Sequence, residues 1–373
     1  MGTDRDTDLA AHIRAAQVLV PCHDLAADLA FFTERLGFRV NLIFPADSPQ
    51  VAVVSGHGIA LRLEAASAQT SPIALRLLCD RAMLPAGSPD VLTAPGGTRI
   101  ELVEARPAVA IPEGSQEFVL TRFGESEAGD GWGVGRAGMQ YRDLIPSRLG
   151  GRFIASHIRI PEGGPVPDYV HFHRIRFQMI YCKAGWARLV YEDQGAPFLF
   201  QAGDCVLQPP EIRHRVLEAS AGLEVIEIGC PALHETFADH AMSLPTPHLL
   251  PARDFGGQLF VRHVAAEAQW LPWRGAGFEM RDTGIEAATA GLASARVVRP
   301  RGSAEVKFGA HGGEFLFLFV LAGEMGLDVD QFGRHRLTAN DSCVVPAGVS
   351  YALQAEPGAE ILEVTLPAEL PRA

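Results

Sequence analysis

The sequence lacks the features that mark membrane, nucleic-acid-binding and disulfide-stabilised proteins. No stretch approaches the roughly eighteen apolar residues of a membrane-spanning helix, so no membrane partner is expected. Basic runs are missing, and a net charge of −12 would repel a phosphate backbone, so nucleic acid is not an expected partner. The acidic first residues lack the apolar core of a signal peptide. None of the 6 cysteines forms a CxxC pair, which favours reduced, mostly buried thiols and a cytoplasmic location.

Apolar and turn-forming residues are what the sequence has in quantity. A chain of 373 residues with 47% hydrophobic content is enough for two or three packed domains. The 38 glycines and 26 prolines favour many turns. We therefore expect a chain that is mostly β.

An internal repeat occupies the chain from residue 136 onward. Residues 139–164 align with residues 278–303, and the offset stays at about 138 positions further along. The matching positions are Arg142-Asp143 with Arg281-Asp282, Pro161 with Pro300, Gly185 with Gly323, Asp204 with Asp341, and Pro209 with Pro346. A repeat of this length indicates two like-built β-barrels packed together.

Three histidines and a glutamine fall within the first copy of the repeat. His171 and His173 are alternate residues, so on a β-strand both imidazoles point to one face. Gln178 follows them, and two hairpin-linked strands would bring His214 opposite the pair. Three imidazoles and an amide oxygen that converge inside a barrel would form a metal site with room for water or substrate.

This stretch resembles the two motifs of the cupin family, G-x5-HxH-x4-E-x6-G and G-x5-PxG-x2-H-x3-N. The first motif is matched by Gly164, His171, His173 and Gly185, with one extra residue after Gly164 and with Gln178 at the glutamate position. The second is matched by Gly203, Pro209 and His214, with Glu211 at the glycine position and Leu217 or Glu218 where asparagine would fall. The resemblance implies two jelly-roll barrels, a bicupin. It also implies one divalent metal ion held by His171, His173, Gln178 and His214.

The second copy of the repeat shows which residues occupy the equivalent positions when the barrel is the same. By the same offset, His171 corresponds to Gly309, Gln178 to Leu316, His214 to Tyr351, and only His173 to another histidine, His311. Barrel packing therefore does not itself require the histidines. We expect a metal-binding first barrel and a degenerate, structural second barrel.

Residues 15–105 have the pattern of a separate α+β domain. A strand is followed by a helix with Asp24 as its N-cap and Gly37 as its stop, and then by three strands. This βαβββ order, with the helix phrase FFTERLGF, resembles the vicinal-oxygen-chelate (glyoxalase/bleomycin-resistance) module. A shortened second copy is expected between Pro72 and Glu104.

The metal ligands of that family lie on its first and last strands. The nearest residues here are Gln17, Glu64 and Glu101, while His23 and His57 lie beside turns. They form no complete ligand set, so a non-catalytic docking or substrate-shielding role is predicted.

The expected fold is therefore mostly β, with two cupin barrels preceded by a βαβββ domain. The predicted boundaries are a tail at 1–14, the vicinal-oxygen-chelate-like domain at 15–105, a linker or arm at 106–135, the metal-binding barrel at 136–245 and the degenerate barrel at 246–373.

Three residues near the predicted ligands are candidates for catalysis: Tyr181, Arg176 and Tyr191. Strict strand alternation after His173 would send Arg176 outward and would also leave Gln178 out of phase. A β-bulge would reconcile the two. Because the sequence does not fix the face to which Arg176 points, Arg176 can either form a surface ion pair or bind a substrate carboxylate.

Three functions are open at this level. The cupin resemblance favours an Fe(II)-type dioxygenase that cleaves or oxidises a small enolic, diketone or aromatic diol-like substrate chelated to the metal. A non-redox lyase, cyclase or isomerase that uses Zn, Ni or Mn is the alternative, and a small-molecule binding or sensor protein is the third. Imidazole ligands also suit Cu, so the residues alone do not select the metal. The resemblance further implies a homodimer.

Overall fold

The computed structural model describes residues 12–22, 24–35, 37–56, 58–65, 74–84, 86–93, 99–124, 131–135 and 138–373. The chain divides into two compact units, one formed by residues 1–110 with 234–240, the other by 111–233 with 241–373. Most of the predicted tail, residues 1–11, lies outside the described part. Within that part, no helix is long and apolar enough to cross a membrane, and all six cysteines are free and buried.

The first unit contains the predicted order of one strand, one helix and three strands. Its elements are β1 (Ile13–Cys22), α1 (Leu25–Ala30), a π-helical turn (Phe31–Arg35), β2 (Arg39–Phe44), β3 (Val51–Gly56), β4 (Ile59–Ala65), β5 (Ala74–Cys79), a 3-10 turn (Arg81–Met83), β6 (Val91–Thr93) and β7 (Arg99–Glu104). The side chain of Asp24 accepts a hydrogen bond from the Ala27 amide at 3.0 Å and caps α1, as predicted.

The sheet of the first unit has the strand order β2-β3-β4-β1-β5-β7-β6. β1 pairs with β4 in parallel, and β5 pairs with β7 in parallel. The β5–β7 segment therefore repeats the pattern of β1–β4 with one strand fewer. Residues 235–238 add a further strand beside β2. The apolar side of α1 packs on the sheet through Leu25, which is buried with Val54 and Leu63.

The second unit contains two barrels. The strands of the first are β8 (Val119–Thr121), β9 (Gly133–Val134), β10 (Gln140–Asp143), β11 (Ile154–Ile160), β12 (Gly164–Pro165), β13 (His171–Arg174), β14 (Phe177–Ala184), β15 (Trp186–Tyr191), β16 (Phe198–Gln201), β17 (Cys205–Leu207), β18 (His214–Ala219) and β19 (Leu223–Cys230). β20 (Glu235–Ala238) is the strand that belongs to the first unit.

The second barrel repeats this series. Its elements are β21 (Val261–His263), a 3-10 turn (Ala265–Glu267), β22 (Leu271–Pro272), β23 (Phe278–Asp282), α2 (Ile285–Ala288), β24 (Ser294–Pro300), β25 (Ala304–Phe308), β26 (Phe315–Ala322), β27 (Glu324–Val329), β28 (Gly333–Thr338), β29 (Ser342–Val344), β30 (Tyr351–Ala355) and β31 (Glu360–Leu366).

Both barrels are built from two antiparallel sheets with the same strand order. The order β16-β15-β18-β13 in the first corresponds to β28-β27-β30-β25 in the second, and β9-β10-β11-β19-β14-β17 corresponds to β22-β23-β24-β31-β26-β29. Each barrel is therefore a jelly roll. The shared strand order confirms the prediction, made from the repeat, of two like-built barrels, and it is consistent with a bicupin-like fold.

The two barrels exchange edge strands. β8, the first strand of the first-barrel series, pairs with β29 of the second barrel. β21, the first strand of the second-barrel series, pairs with β17 of the first barrel. Each exchange covers an open sheet edge, where unpaired backbone groups would otherwise be exposed.

A shared apolar core joins the barrels. The rings of Phe153 and Phe315 are stacked with centroids 4.2 Å apart and planes 11° apart. Met179, Phe317 and Leu362 are buried in the same cluster. The side of β14 that carries Met179 therefore faces the other barrel, and the opposite side faces the interior of its own barrel.

An ion-pair cluster also crosses between the barrels. Glu314 of the second barrel accepts hydrogen bonds from Arg152 at 2.6 Å and from Arg176 at 2.8 Å. The hydrogen bond from Arg176 lowers the pKa of the Glu314 carboxyl from 4.5 to about 2. Because the pKa is lower in the folded state, the pair stabilises the fold above about pH 4.5, and this contribution disappears as the pH falls towards 2.

We expect Glu314→Gln to reduce stability at neutral pH by about 1–2 kcal/mol, a figure that allows for solvent screening of a side chain 34% exposed. Between pH 4.5 and 2, the unfolding free energy of the variant should also fall by less than that of the unaltered protein. Urea denaturation across this pH range measures both effects. Glu324→Gln, which removes an exposed pair with Arg336, is the matched control. An equal change in both variants would contradict the assignment.

Candidate metal centre

The chain passes from one sheet of the first barrel to the other between His173 and Gln178. β13 pairs with β18 in one sheet, whereas β14 pairs with β17 and β19 in the other. Ile175 and Arg176 belong to neither strand. This corner resets the side-chain alternation, so the expected β-bulge is replaced by a break between two strands. Gln178 can thus lie on the interior side together with the histidines.

Register brings the three histidines together. His171 lies directly opposite His214 in the antiparallel pair of β13 and β18, as predicted. Ring centroids are 4.2 Å apart for His171 and His214, and His173 is 5.3 Å from each of them. One ligand nitrogen from each ring lies within 4.8 Å of the others. The residues are only 1%, 8% and 5% exposed, in the order His171, His173, His214.

Backbone carbonyl groups fix the tautomers of two of the rings. The Nδ1 atom of His171 donates to the carbonyl oxygen of Tyr169 at 2.8 Å, and Nδ1 of His214 donates to that of Ile212 at 3.0 Å. A carbonyl oxygen can only accept, so the proton is on Nδ1 and the lone pair is on Nε2. Metal-ligating histidines are oriented in this way by their second nitrogen. The three buried imidazoles therefore fit a divalent metal ion.

A buried carboxylate supports this arrangement. The side chain of Asp168 is 0% exposed, and its Oδ1 atom lies 3.5 Å from Nδ1 of His171. Its Oδ2 atom accepts a hydrogen bond from the Val216 amide at 3.0 Å. Asp168 therefore ties β18 to the segment that leads into β13 and supports the position of His171.

Gln178 lies in a chain of amides beside the imidazoles. Its Oε1 atom accepts from Nε2 of Gln208 at 3.1 Å, and its Nε2 atom donates to Glu227. Nε2 of Gln208 is also 3.4 Å from Nε2 of His214, and the Tyr191 hydroxyl donates to Oε1 of Gln208 at 2.7 Å. The ligand role of Gln178 stays a prediction, since its amide oxygen bonds to Gln208 here.

Gln208 and Glu227 are two residues that the sequence interpretation missed. Gln208 precedes the Pro209-Pro210 turn, and Glu227 lies on β19 opposite Ile180. The internal repeat carried a signal for the glutamate, because Glu363 lies opposite Leu318 at the equivalent place on β31. No comparable signal existed for Gln208, whose partners are 30 and 17 residues away along the chain.

Of the three candidate catalytic residues, only Tyr191 lies at the site. It is opposite His214 in the pairing of β15 with β18, and the two rings are stacked with centroids 5.4 Å apart. Burial raises the pKa of the Tyr191 hydroxyl well above its usual range, so it stays protonated and can donate.

The other two candidates need correction. Tyr181 is on the face of β14 opposite to Gln178 and is buried in the core shared by the barrels. Its hydroxyl is near Arg281, at 3.5 Å. Arg176 lies at the corner between strands and binds Glu314, so it is an inter-barrel ion pair and not a carboxylate clamp.

This chain is similar to known proteins in three-dimensional structure, but no match was found in sequence. No family model matches the chain, and no curated protein matches it in sequence. Salicylate 1,2-dioxygenase from Pseudoaminobacter salicylatoxidans is 17% identical with a TM-score of 0.49, over 69% of this chain and 83% of that one. Oxalate decarboxylase from Lactobacillus farciminis is 12% identical with a TM-score of 0.47, over 70% and 89%. The 11S globulin from Wrightia tinctoria is 13% identical with a TM-score of 0.46, over 62% and 80%.

The equivalent place in the second barrel holds an ion pair. Arg274 binds the fully buried Glu363 and donates to the hydroxyl of Tyr351, which replaces His214, at 2.9 Å. Its guanidinium lies over the ring of Phe308, 4.3 Å from the centroid. The remaining histidine, His311, has its Nε2 atom 3.2 Å from the Val345 carbonyl oxygen.

The first unit has no comparable cluster among its described residues. Glu64 pairs with Arg62, and Glu101 lies 3.4 Å from Arg76. Gln17 is buried on β1, opposite Arg76 in register. His23 and His57 lie outside the described residues. Both carboxylates are thus paired with guanidinium groups.

Proposed function

We propose that this protein is a cupin-type, metal-dependent dioxygenase that uses Fe(II) to cleave or oxidise a small enolic, diketone or aromatic diol-like substrate. The observation that carries the proposal is the convergence of three buried imidazoles, two of them with Nε2 lone pairs set by backbone carbonyls. The two cupin-like motifs that contain His171, His173 and His214 support it further.

The proposed ligand set favours one class of substrate. Three neutral imidazoles add no negative charge, and Gln178 would add none either, so an anionic substrate that chelates through two oxygens is favoured. When bound, the ion supplies Lewis-acid and redox chemistry with open coordination positions. The buried side chains of Ile212 and Phe200 belong to the apolar cluster of the same barrel.

A non-redox lyase, cyclase or isomerase with Zn, Ni or Mn is the second candidate. It is favoured by a chain of hydrogen-bonding side chains that begins beside the His214 ring. The chain runs from the Tyr191 hydroxyl through Gln208 and Gln178 to the carboxylate of Glu227. Fixed donors of this kind suit the stabilisation of a polarised carbonyl.

Oxygen uptake separates the candidates. Protein purified without oxygen is loaded with Fe(II) or Zn(II) and mixed with a panel of enolic, diketone and catecholic compounds. The dioxygenase proposal predicts stoichiometric O2 consumption with Fe(II) only, and none in the His214→Ala variant. Turnover with Zn(II) without O2 consumption would overturn it in favour of the second candidate. Substrate binding without turnover under either metal would indicate a binding or sensor protein.

A further inference from the structure

The amide chain beside the imidazoles has a defined direction. The Nε2 atom of Gln178 donates to the Glu227 side chain, and its Oε1 atom accepts from Gln208. Gln208 must then present Nε2 to Gln178 and Oε1 to the Tyr191 hydroxyl, which donates to it. Each amide is held at both ends. If either amide were flipped, two donors or two acceptors would face each other.

The direction of this chain places a donor next to the predicted ion. Nε2 of Gln208 carries two N–H groups. One donates to Gln178, and the nitrogen itself lies 3.4 Å from Nε2 of His214, which the second N–H group can reach. A metal ion would take the His214 lone pair, and an N–H group cannot bond to a cation. Gln208 is 2% exposed, so bulk water does not readily replace the lost acceptor. An anionic atom bound at an open position of the ion would supply it.

We propose that Gln208 is a binding residue that selects anionic ligands at the metal centre, and that Glu227 is the positioning residue that keeps the N–H group of Gln208 directed at them. This inference rests on the proposed metal site and names a determinant of its specificity. The second barrel uses its equivalent glutamate, Glu363, in the same sense, to hold a donor group of Arg274 inside the barrel.

Azide binding to the Co(II)-loaded protein tests the proposal by visible absorption, with neutral imidazole as the comparison ligand. Gln208→Met removes the N–H group at similar volume. It should weaken azide binding by about 10- to 100-fold, the value of a hydrogen bond to a charged group, and leave imidazole binding nearly unchanged. Glu227→Gln permits the chain to reverse, so a smaller loss confined to azide is expected. Gln201→Leu, at an exposed glutamine on β16, should change neither affinity.

The possible results separate the role of Gln208 from the existence of the metal site. If Co(II) binds to Gln208→Met with the spectrum of the unaltered protein and azide affinity is also unchanged, the role of Gln208 is overturned while the metal site stands. Equal losses of azide and imidazole would also overturn it, because a general distortion would then explain both. If the unaltered protein binds no Co(II), the proposed metal site itself fails.

Discussion

Replacement of His214 or His171 by alanine is expected to remove the metal ion from the protein. Both side chains are buried, and each is oriented through Nδ1 by a backbone carbonyl, so no other residue can take over the lost nitrogen without a movement of the strand. Changes in residues that merely orient ligands cost about 10- to 100-fold in metal affinity. Loss of a ligand should therefore cost more than about 100-fold.

Metal analysis after equilibration with a competing chelator measures this effect. His311→Ala is the matched control, because His311 is also buried and comes from the equivalent strand region of the repeat. It should keep the metal content of the unaltered protein. Equal loss in His171→Ala, His214→Ala and His311→Ala would contradict the assignment of the two barrels. Metal retained by Gln178→Ala would show that Gln178 is not an essential ligand.

The largest effect on stability is expected for Phe315→Ala. The ring of Phe315 is 1% exposed and stacks on Phe153 at the centre of the core shared by the two barrels. A cavity of this size costs about 3–5 kcal/mol, and the stacked pair contributes about 0.5–1.5 kcal/mol of coupling. Because one core serves both barrels, we expect them to unfold together.

Denaturant unfolding of Phe315→Ala, Phe153→Ala and the double variant measures these quantities. Phe332→Ala is the control, because Phe332 is 43% exposed and stacks on Phe118 at 5.0 Å, so a much smaller loss is expected. A loss below about 1 kcal/mol for Phe315→Ala would contradict a shared core. A second unfolding transition that appears in the unaltered protein and involves only one barrel would contradict it as well.

The parts of the fold that could be predicted from the sequence are those with a periodic signal. The repeat predicted two like-built barrels, and the spacing of His171 and His173 predicted that both rings would share a face. These patterns depend on neighbouring residues or on a constant offset, and both are visible in one sequence. His214 does return to the place opposite His171, but not by the expected hairpin, because β14 to β17 lie between β13 and β18 in the chain.

The details that were missed depend on partners far apart in the chain. Arg176 binds Glu314, which lies 138 residues away. Gln208, just after β17, and Glu227, on β19, meet Gln178 from the two sides of β14. The side of the strand on which Gln178 lies depends on a corner between two sheets. The alternation of residues along one strand does not reveal this corner. The exchange of β8 and β21 is likewise a pairing between distant segments.

The central claim is that three imidazoles of the first barrel hold one metal ion. X-ray absorption spectroscopy of protein loaded with Fe(II) without oxygen tests it most directly. We predict one ion per chain, with the scattering pattern of three imidazole rings and a remaining shell of light oxygen or nitrogen atoms. Substoichiometric binding, or a first shell without imidazole, would contradict the claim.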